Sequence, residues 1–211
     1  MSQTQPGKLV IISGPSGVGK STVVSQLLST CPLPLELSIS ATTRPIRDDD
    51  RPGENYIFME EDEFKQRIEA NDFLEYVEVF GIGHWYGTLR SQVASGLKAG
   101  KWVVLEIDVE GAAKVMNNHP DTVSVFIHPG SLEELEKRLR GRGTNDEASI
   151  TRRLEVARDE LDASSIYQHT VQNTTVEQTV NDICDLLKKS ADGTLVGNDQ
   201  TNGSAHKQNN A

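Results

Sequence analysis

Gly14-Pro15-Ser16-Gly17-Val18-Gly19-Lys20-Ser21 fits the pattern G-x-x-x-x-G-K-[ST], and its flanks restrict the fold more than any other part of the chain. Before it, Lys8 to Ser13 (KLVIIS) is a short apolar, β-branched run of the kind buried in parallel sheets. After it, Lys20 to about Thr30 reads as a helix that Cys31-Pro32 ends. In the order strand, glycine-rich loop, helix, the backbone can curl so that successive N–H groups face a phosphate, with the positive end of the helix dipole behind them. Lys20 is then expected to reach the outer phosphates of a nucleoside triphosphate and the Ser21 hydroxyl to be a ligand for Mg2+. The motif alone leaves the reaction open, because hydrolases, motors and kinases of small molecules share it.

Similar apolar runs recur at Glu36 to Ala41, Trp102 to Ile107 and Val123 to His128, each followed by turn residues or a helical pattern. The alternation predicts an α/β chain of three layers around a central parallel sheet. Three later segments have helical periodicity. Ser131, with Glu134 as its capping partner, heads one that carries Leu132, Leu135 and Leu139. Ile150, Leu154, Ala157 and Leu161 mark the second; Val176, Val180, Ile183 and Leu187, behind a Thr174/Glu177 capping pair, mark the third. The stretch from about 44 to 88 differs, being rich in aromatics, charges and turn residues, with one helix expected over roughly Asp62 to Ala70. It reads as a small α+β insertion at the edge of the sheet where loops surround a ligand. Residues 1–7 read as a flexible lead-in and 190–211, rich in Gly, Asn and Gln, as a disordered tail, leaving one domain over 8–189.

Composition excludes several classes. With 31 acidic against 21 basic side chains and a net charge of −10, the chain lacks the basic face a nucleic-acid binder needs. No apolar run approaches the roughly 20 residues that span a bilayer, and the first residues lack a secretion signal, so a cytoplasmic protein without a membrane partner is expected. Cys31 and Cys184 are far apart and read as plain buried thiols. The five histidines, His84, His119, His128, His169 and His206, sit in no partner motif and are expected to be structural.

Ser38-Ile39-Ser40-Ala41-Thr42-Thr43-Arg44-Pro45-Ile46-Arg47 brings hydroxyls and two arginines three residues apart to the end of the second predicted strand, a pattern able to converge on a phosphate. Downstream come Tyr56, Phe73-Leu74-Glu75, Tyr86-Gly87-Thr88, Leu105-Glu106-Ile107-Asp108 with Gly111, and Arg138-Leu139-Arg140-Gly141-Arg142-Gly143 followed by Arg153-Leu154. Taken in this order over roughly Lys8 to Lys189, these residues resemble the guanylate kinases of the nucleoside monophosphate kinase superfamily.

The resemblance implies an enzyme that phosphorylates GMP, and dGMP, to the diphosphate with ATP and Mg2+, within purine nucleotide metabolism. ATP would lie on Gly14, Pro15, Ser16, Gly17, Val18, Gly19, Lys20, Ser21 and Thr22, with Asn173 near the adenine. GMP would lie on Ser40, Arg44, Arg47, Tyr56, Glu75, Tyr86, Thr88, Glu106 and Asp108. Guanine offers N–H donors at N1 and N2, so a carboxylate such as Glu75 beside hydroxyls suits it. Lys20, Arg44, Arg138, Arg142 and Arg153 would surround the transferring phosphoryl group, the last three from a helical lid over about 138–155. No general base is needed, since the second pKa of a phosphate monoester is about 6. Two departures stand out: Asp48-Asp49-Asp50-Arg51 occupies the place of the family's usual Gly-Glu turn after Arg47, and Phe80 to Tyr86 carries about two extra residues. Two other readings are a noncatalytic peptide-binding module of the same fold, against which the full Lys20/Ser21 loop and the lid arginines argue, and a kinase of a different small acceptor, against which Glu75 with Ser40 and Tyr86 argues. No specific protein partner is implied.

Overall fold

The computed structural model describes residues 7–48, 50–79, 83–141 and 147–194. Strands β1 (Lys8–Ser13), β2 (Leu35–Leu37), β7 (Trp102–Glu106), β8 (Val123–His128) and β9 (His169–Gln172) form a parallel sheet in the order β2-β7-β1-β8-β9. β1 is central, paired with β7 on one side and β8 on the other. Alternation of side chains along it feeds two cores. Val10 and Ile12 pack with Val23 and Leu27 of α1 (Lys20–Thr30) and with Ile183 and Leu187 of α7 (Val176–Ala191). Leu9 and Ile11 pack with Val93 of α3 (Arg90–Lys98) and with Ala112 and Val115 of α4 (Val109–Asn118). The result is the expected three-layer α/β arrangement, with the glycine-rich loop emerging from the end of its central strand. Cys31 and Cys184 are both buried and unbridged; burial and the neighbouring Cys31 push the Cys184 thiol up to about 11.

A second sheet, in the order β4-β3-β6-β5, is built from β3 (Ala41–Thr42), β4 (Ile57–Phe58), β5 (Phe73–Val79) and β6 (His84–Leu89). Helix α2 (Glu61–Glu69) covers it, with the Phe64 ring stacked on Phe73 at 4.4 Å and Ala41 and Leu89 completing a small separate core. This sheet takes in residues on both sides of the 44–88 segment singled out by composition.

Several elements differ from the sequence expectation. The run Glu36 to Ala41 is not one strand. Ser38 still donates its N–H to Val104 O at 2.9 Å, but the next amide, Ile39 N, goes to the Gln92 side chain, and Ser40 O accepts from Ile57 N in the second sheet. The chain changes sheets within three residues, and Gln92 satisfies the amide that neither sheet reaches. The cap of α7 is Thr175, accepting from Gln178 N at 3.2 Å, one residue later than the Thr174/Glu177 pair. That helix also runs past the expected start of the tail: Lys8 Nζ donates to Ser190 O at 2.8 Å and Thr194 N to Lys189 O at 3.0 Å. The remainder of the tail, 195–211, lies outside the described residues, as do residues 1–6. Helices α3 and α4 and strand β9 were not foreseen. β9 buries only alternate residues, His169 and Val171, so it carries no apolar run to read. The helical expectations at 131 and 150 correspond to α5 (Leu132–Gly141) and α6 (Glu147–Asp162). Among the described residues no helix is long and apolar enough to cross a membrane.

The second core is small enough for one ring to dominate it. Phe64→Ala should cost about 3–5 kcal/mol, read as a lower urea midpoint; a loss below about 1 kcal/mol would show that α2 is not held by this ring.

Candidate active site

Three groups of side chains carry the site, coupled to one another through Glu75 with Asp108 and Tyr56 with Glu106. The first is the glycine-rich loop. Gly14, Gly17 and Gly19 have φ of +145°, +91° and +102°, a region that disfavours any side chain. Gly14 is constrained twice, since a Cβ there would lie 2.4 Å from Ile127 O on β8. A loop that turns its amides inward turns its carbonyls elsewhere, and each of those needs a donor. Lys20 Nζ donates to Gly14 O at 2.6 Å and Pro15 O at 3.3 Å. Val18 O accepts from Asn173 Nδ2 at 2.7 Å and from Arg138 NH1 at 3.1 Å. Asn173 is in turn fixed by the Thr179 hydroxyl on its Oδ1 at 3.0 Å, and Arg138 NH2 donates to Asn173 O at 2.7 Å. Asn173 and Arg138 thus brace the loop from beneath through its backbone. Ser21 Oγ donates to Glu106 Oε1 at 2.6 Å, so Glu106 stands beside the loop, near enough to Tyr56 to act on its phenol.

The second group surrounds Glu75. The β5/β6 pairing is irregular: Phe73 pairs with Leu89 but Glu75, not Leu74, pairs with Thr88. The bulge sends Leu74 into the main core and sets the Glu75 carboxylate against Thr88, whose hydroxyl donates to Oε1 at 2.6 Å. Gly111 makes room for it, because a Cβ there would lie 2.7 Å from Glu75 Oε2. Asp108 caps α4 by accepting from Gly111 N at 2.8 Å, which brings a second carboxylate alongside. Glu75 is 4% exposed, and burial, resisted by the Thr88 hydrogen bond and reinforced by Asp108, raises its pKa to about 7. Burial also raises Asp108, against the Gly111 amide. A carboxylate this desolvated is poised to accept two N–H donors from a ligand, which would restore its charge.

The third group is cationic and aromatic. Arg44 is buried, with its guanidinium carbon 5.4 Å from the ring centres of both Tyr56 and Phe58, and Tyr56 meets Tyr86 edge-on at 5.7 Å. Asp50 binds Arg44 through two bonds of 2.9 Å and accepts from Arg47 N at 2.7 Å. The Arg47 side chain is exposed. Burial raises the Tyr56 phenol, with Tyr86 and Glu106 acting in the same direction, so the Tyr56 hydroxyl is a neutral donor near neutral pH.

Of the remaining residues singled out by sequence, Ser40 lies half-buried at the sheet crossover and Thr22 exposed on the first turn of α1, while Arg153 is half-buried on α6. Arg142 lies outside the described residues. Two residues escaped notice. Asp50 sat in the acidic run taken as a departure in loop shape. Glu160, on α6, lies against the Ser16 amide and near Lys20, and burial lifts its pKa to about 7. Its only signal was a carboxylate one turn beyond Ala157, beside the apolar stripe of that helix.

A family model described as guanylate kinase matches residues 6–190. The chain is 55% identical over 183 residues to a guanylate kinase of Rhodopirellula baltica, covering 86% of this chain and 88% of that protein. It is 43% identical over 182 residues to one from Fusobacterium nucleatum, covering 86% and 96%. The crystal structure of guanylate kinase from Anaplasma phagocytophilum superposes with a TM-score of 0.73 at 30% identity, over 88% of this chain and 86% of that one.

The buried Glu75 gives a pH dependence of definite sign. Its folded pKa, about 7, lies above the unfolded value of 4.5, so between those values the native state holds the proton more tightly. Stability contributed by the neutral form is therefore complete below the lower value and lost as pH rises through the upper one. Glu75→Gln does not titrate. In urea unfolding its stability relative to the parent should rise on going from pH 5 to pH 8, by on the order of 2 kcal/mol; a pH-independent difference would contradict the burial argument.

Proposed function

The chain belongs to the guanylate kinase family, and on that premise we propose that it transfers the γ-phosphoryl group of ATP to GMP, and to dGMP, with Mg2+ bound beside the nucleotide. The observation that carries the reading is Glu75: a buried carboxylate, opposite a hydroxyl, in the same sheet as Tyr86, with Arg44 and Tyr56 just beyond the ends of its other strands. Guanine supplies the two donors that Glu75 lacks, from N1 and N2, and its O6 acceptor suits a hydroxyl such as Ser40. Adenine has no donor at N1 and would leave the buried carboxylate unpaired, a penalty large enough to select between bases.

In this reading a GMP phosphate oxygen attacks the γ-phosphorus; the new P–O bond forms as the bond to the bridging β–γ oxygen breaks, and ADP departs. No proton need be removed by a side chain at neutral pH. The work left to the protein is alignment and charge stabilisation. Arg44 and Arg47, with the Tyr56 and Tyr86 hydroxyls, hold the acceptor phosphate. Loop amides and Lys20 hold the donor phosphates; Arg142 and Arg153 approach the transferring group from a lid over about 138–155, while Arg138 and Asn173 keep the loop in shape. Ser21 and Glu106 offer a hydroxyl and a carboxylate 2.6 Å apart, a hard-oxygen pair of the kind that holds Mg2+ together with substrate phosphates. Bound there, the metal would neutralise charge on the triphosphate. The inserted sheet at about 44–88 and the lid would close over the pair of substrates and exclude water. The reaction fits purine nucleotide metabolism in the cytoplasm.

A coupled ADP-release assay across GMP, dGMP, AMP, UMP and dTMP tests the reading: turnover should require added Mg2+ and be confined to GMP and dGMP, and preference for another acceptor would overturn it. Lys20→Ala should abolish turnover while leaving GMP binding largely intact, near-normal turnover being the contrary result. Glu75→Gln should reduce discrimination against AMP by on the order of 10–100-fold, since a neutral amide replaces an anionic acceptor.

A further inference from the structure

The pairing of Asp50 with Arg44 goes beyond what base selection and the phosphate loop explain. Arg44 has five N–H groups. One on NH1 donates to Pro45 O at 2.8 Å, the other on NH1 to Asp50 Oδ2 and one on NH2 to Asp50 Oδ1, both at 2.9 Å. That is the bidentate edge between the two terminal nitrogens. The Nε–H and the second NH2 hydrogen form the other edge, which is intact as a fork for one more oxyanion. Asp50 is itself held firmly: its N–H donates to Arg47 O at 3.0 Å while its Oδ2 accepts from Arg47 N at 2.7 Å, a reciprocal clasp across the turn. The ion pair is nearly buried, with side-chain exposures of 7% and 11%. The mutual hydrogen bonds hold the Arg44 charge firmly in place and keep Asp50 ionised, its pKa pulled below the ordinary carboxylate range by Arg44 and then by the Arg47 amide.

We infer that Asp50 is a positioning residue for the acceptor phosphate: it grips one edge of the Arg44 guanidinium and so fixes the other edge for GMP. The inference rests on the reading of Arg44 as a GMP phosphate ligand. It divides the work between the two arginines. Arg44, neutralised by Asp50 and packed against Tyr56 and Phe58, supplies direction; Arg47, whose side chain is exposed and whose backbone forms the clasp, supplies net charge. Two effects of removing the carboxylate oppose each other. Losing the grip frees the guanidinium to rotate, which weakens binding, whereas losing a negative charge near an incoming dianion strengthens it. In a buried pair made by two parallel hydrogen bonds the orientational loss should win, because the guanidinium would keep only its single bond to Pro45 O and could turn about it.

The test compares Asp50→Asn, Asp50→Glu, Arg44→Ala and the double variant Arg44→Ala/Asp50→Asn by steady-state kinetics, with guanosine, which lacks the phosphate, as a competitive inhibitor. Asp50→Asn should raise KM for GMP about tenfold, the size of one charge-assisted hydrogen bond, with KM for ATP and guanosine inhibition unchanged. Asp50→Glu, which keeps the charge, should recover part of that loss. In the Arg44→Ala background Asp50→Asn should add nothing, since its action runs through Arg44. An unchanged or lower KM for GMP in Asp50→Asn, an additive double variant, or an equal loss toward guanosine would each overturn the inference. If Arg44→Ala itself leaves KM for GMP unaltered, the assignment of Arg44 to the phosphate fails first, and that outcome is distinct from a normal Arg44 effect with an inert Asp50.

Discussion

A loop that points its amides at a ligand must find donors for the carbonyls it has turned away, and this requirement organises the protein. Gly14 O and Pro15 O are met by Lys20, and Val18 O by Asn173 and Arg138 together. Asn173 follows β9, and Arg138 lies on α5, so the last strand of the sheet and a helix far along the chain serve a loop formed near its start. Thr179, from α7, fixes the asparagine in turn. The C-terminal third of the fold therefore acts on the phosphate site through hydrogen bonds to one backbone carbonyl.

The acceptor side rests on close approach of a different kind. The bulge in β5 places Glu75 where a regular ladder would have put Leu74, and the missing side chain of Gly111 lets α4 come within reach of that carboxylate. Asp108 links this corner to the main sheet, because it lies two residues past the end of β7 and caps α4. At the C-terminal end of β7 Glu106 faces Ser21, and just beyond it Asp108 lies near Glu75. Two carboxylates two residues apart, one ending β7 and one capping α4, thus have different partners.

Much of this was legible in the sequence where local chemistry alone decides. The phosphate loop needs glycines at fixed positions between a strand and a helix, and that pattern survives reading in one dimension. Arg44, Tyr56, Glu75 and Tyr86 were recognisable as an ordered set, and the second sheet with its flanking loops carries them. What escaped was set by tertiary contacts. The split of Glu36 to Ala41 between two sheets depends on Gln92 catching one amide. Glu106 could not be separated from Asp108 by sequence, since only the register of β7 against β1 decides which of them meets Ser21. Arg138 read as a lid cation because an arginine in a basic run carries no mark that its partners are carbonyls of a distant loop. Strand β9, with one buried aliphatic residue, carried no period to detect.

The central claim is that one sheet brings a base-reading carboxylate and a phosphate-holding arginine to a single acceptor opposite the phosphate loop. A crystal structure with GMP and a nonhydrolysable ATP analogue tests it most directly. The account predicts N1 and N2 of guanine within hydrogen-bond distance of Glu75, and the GMP phosphate on the Arg44 edge not taken by Asp50, facing the γ-phosphate. A guanine bound away from Glu75, or an acceptor phosphate that makes no contact with Arg44, would contradict it.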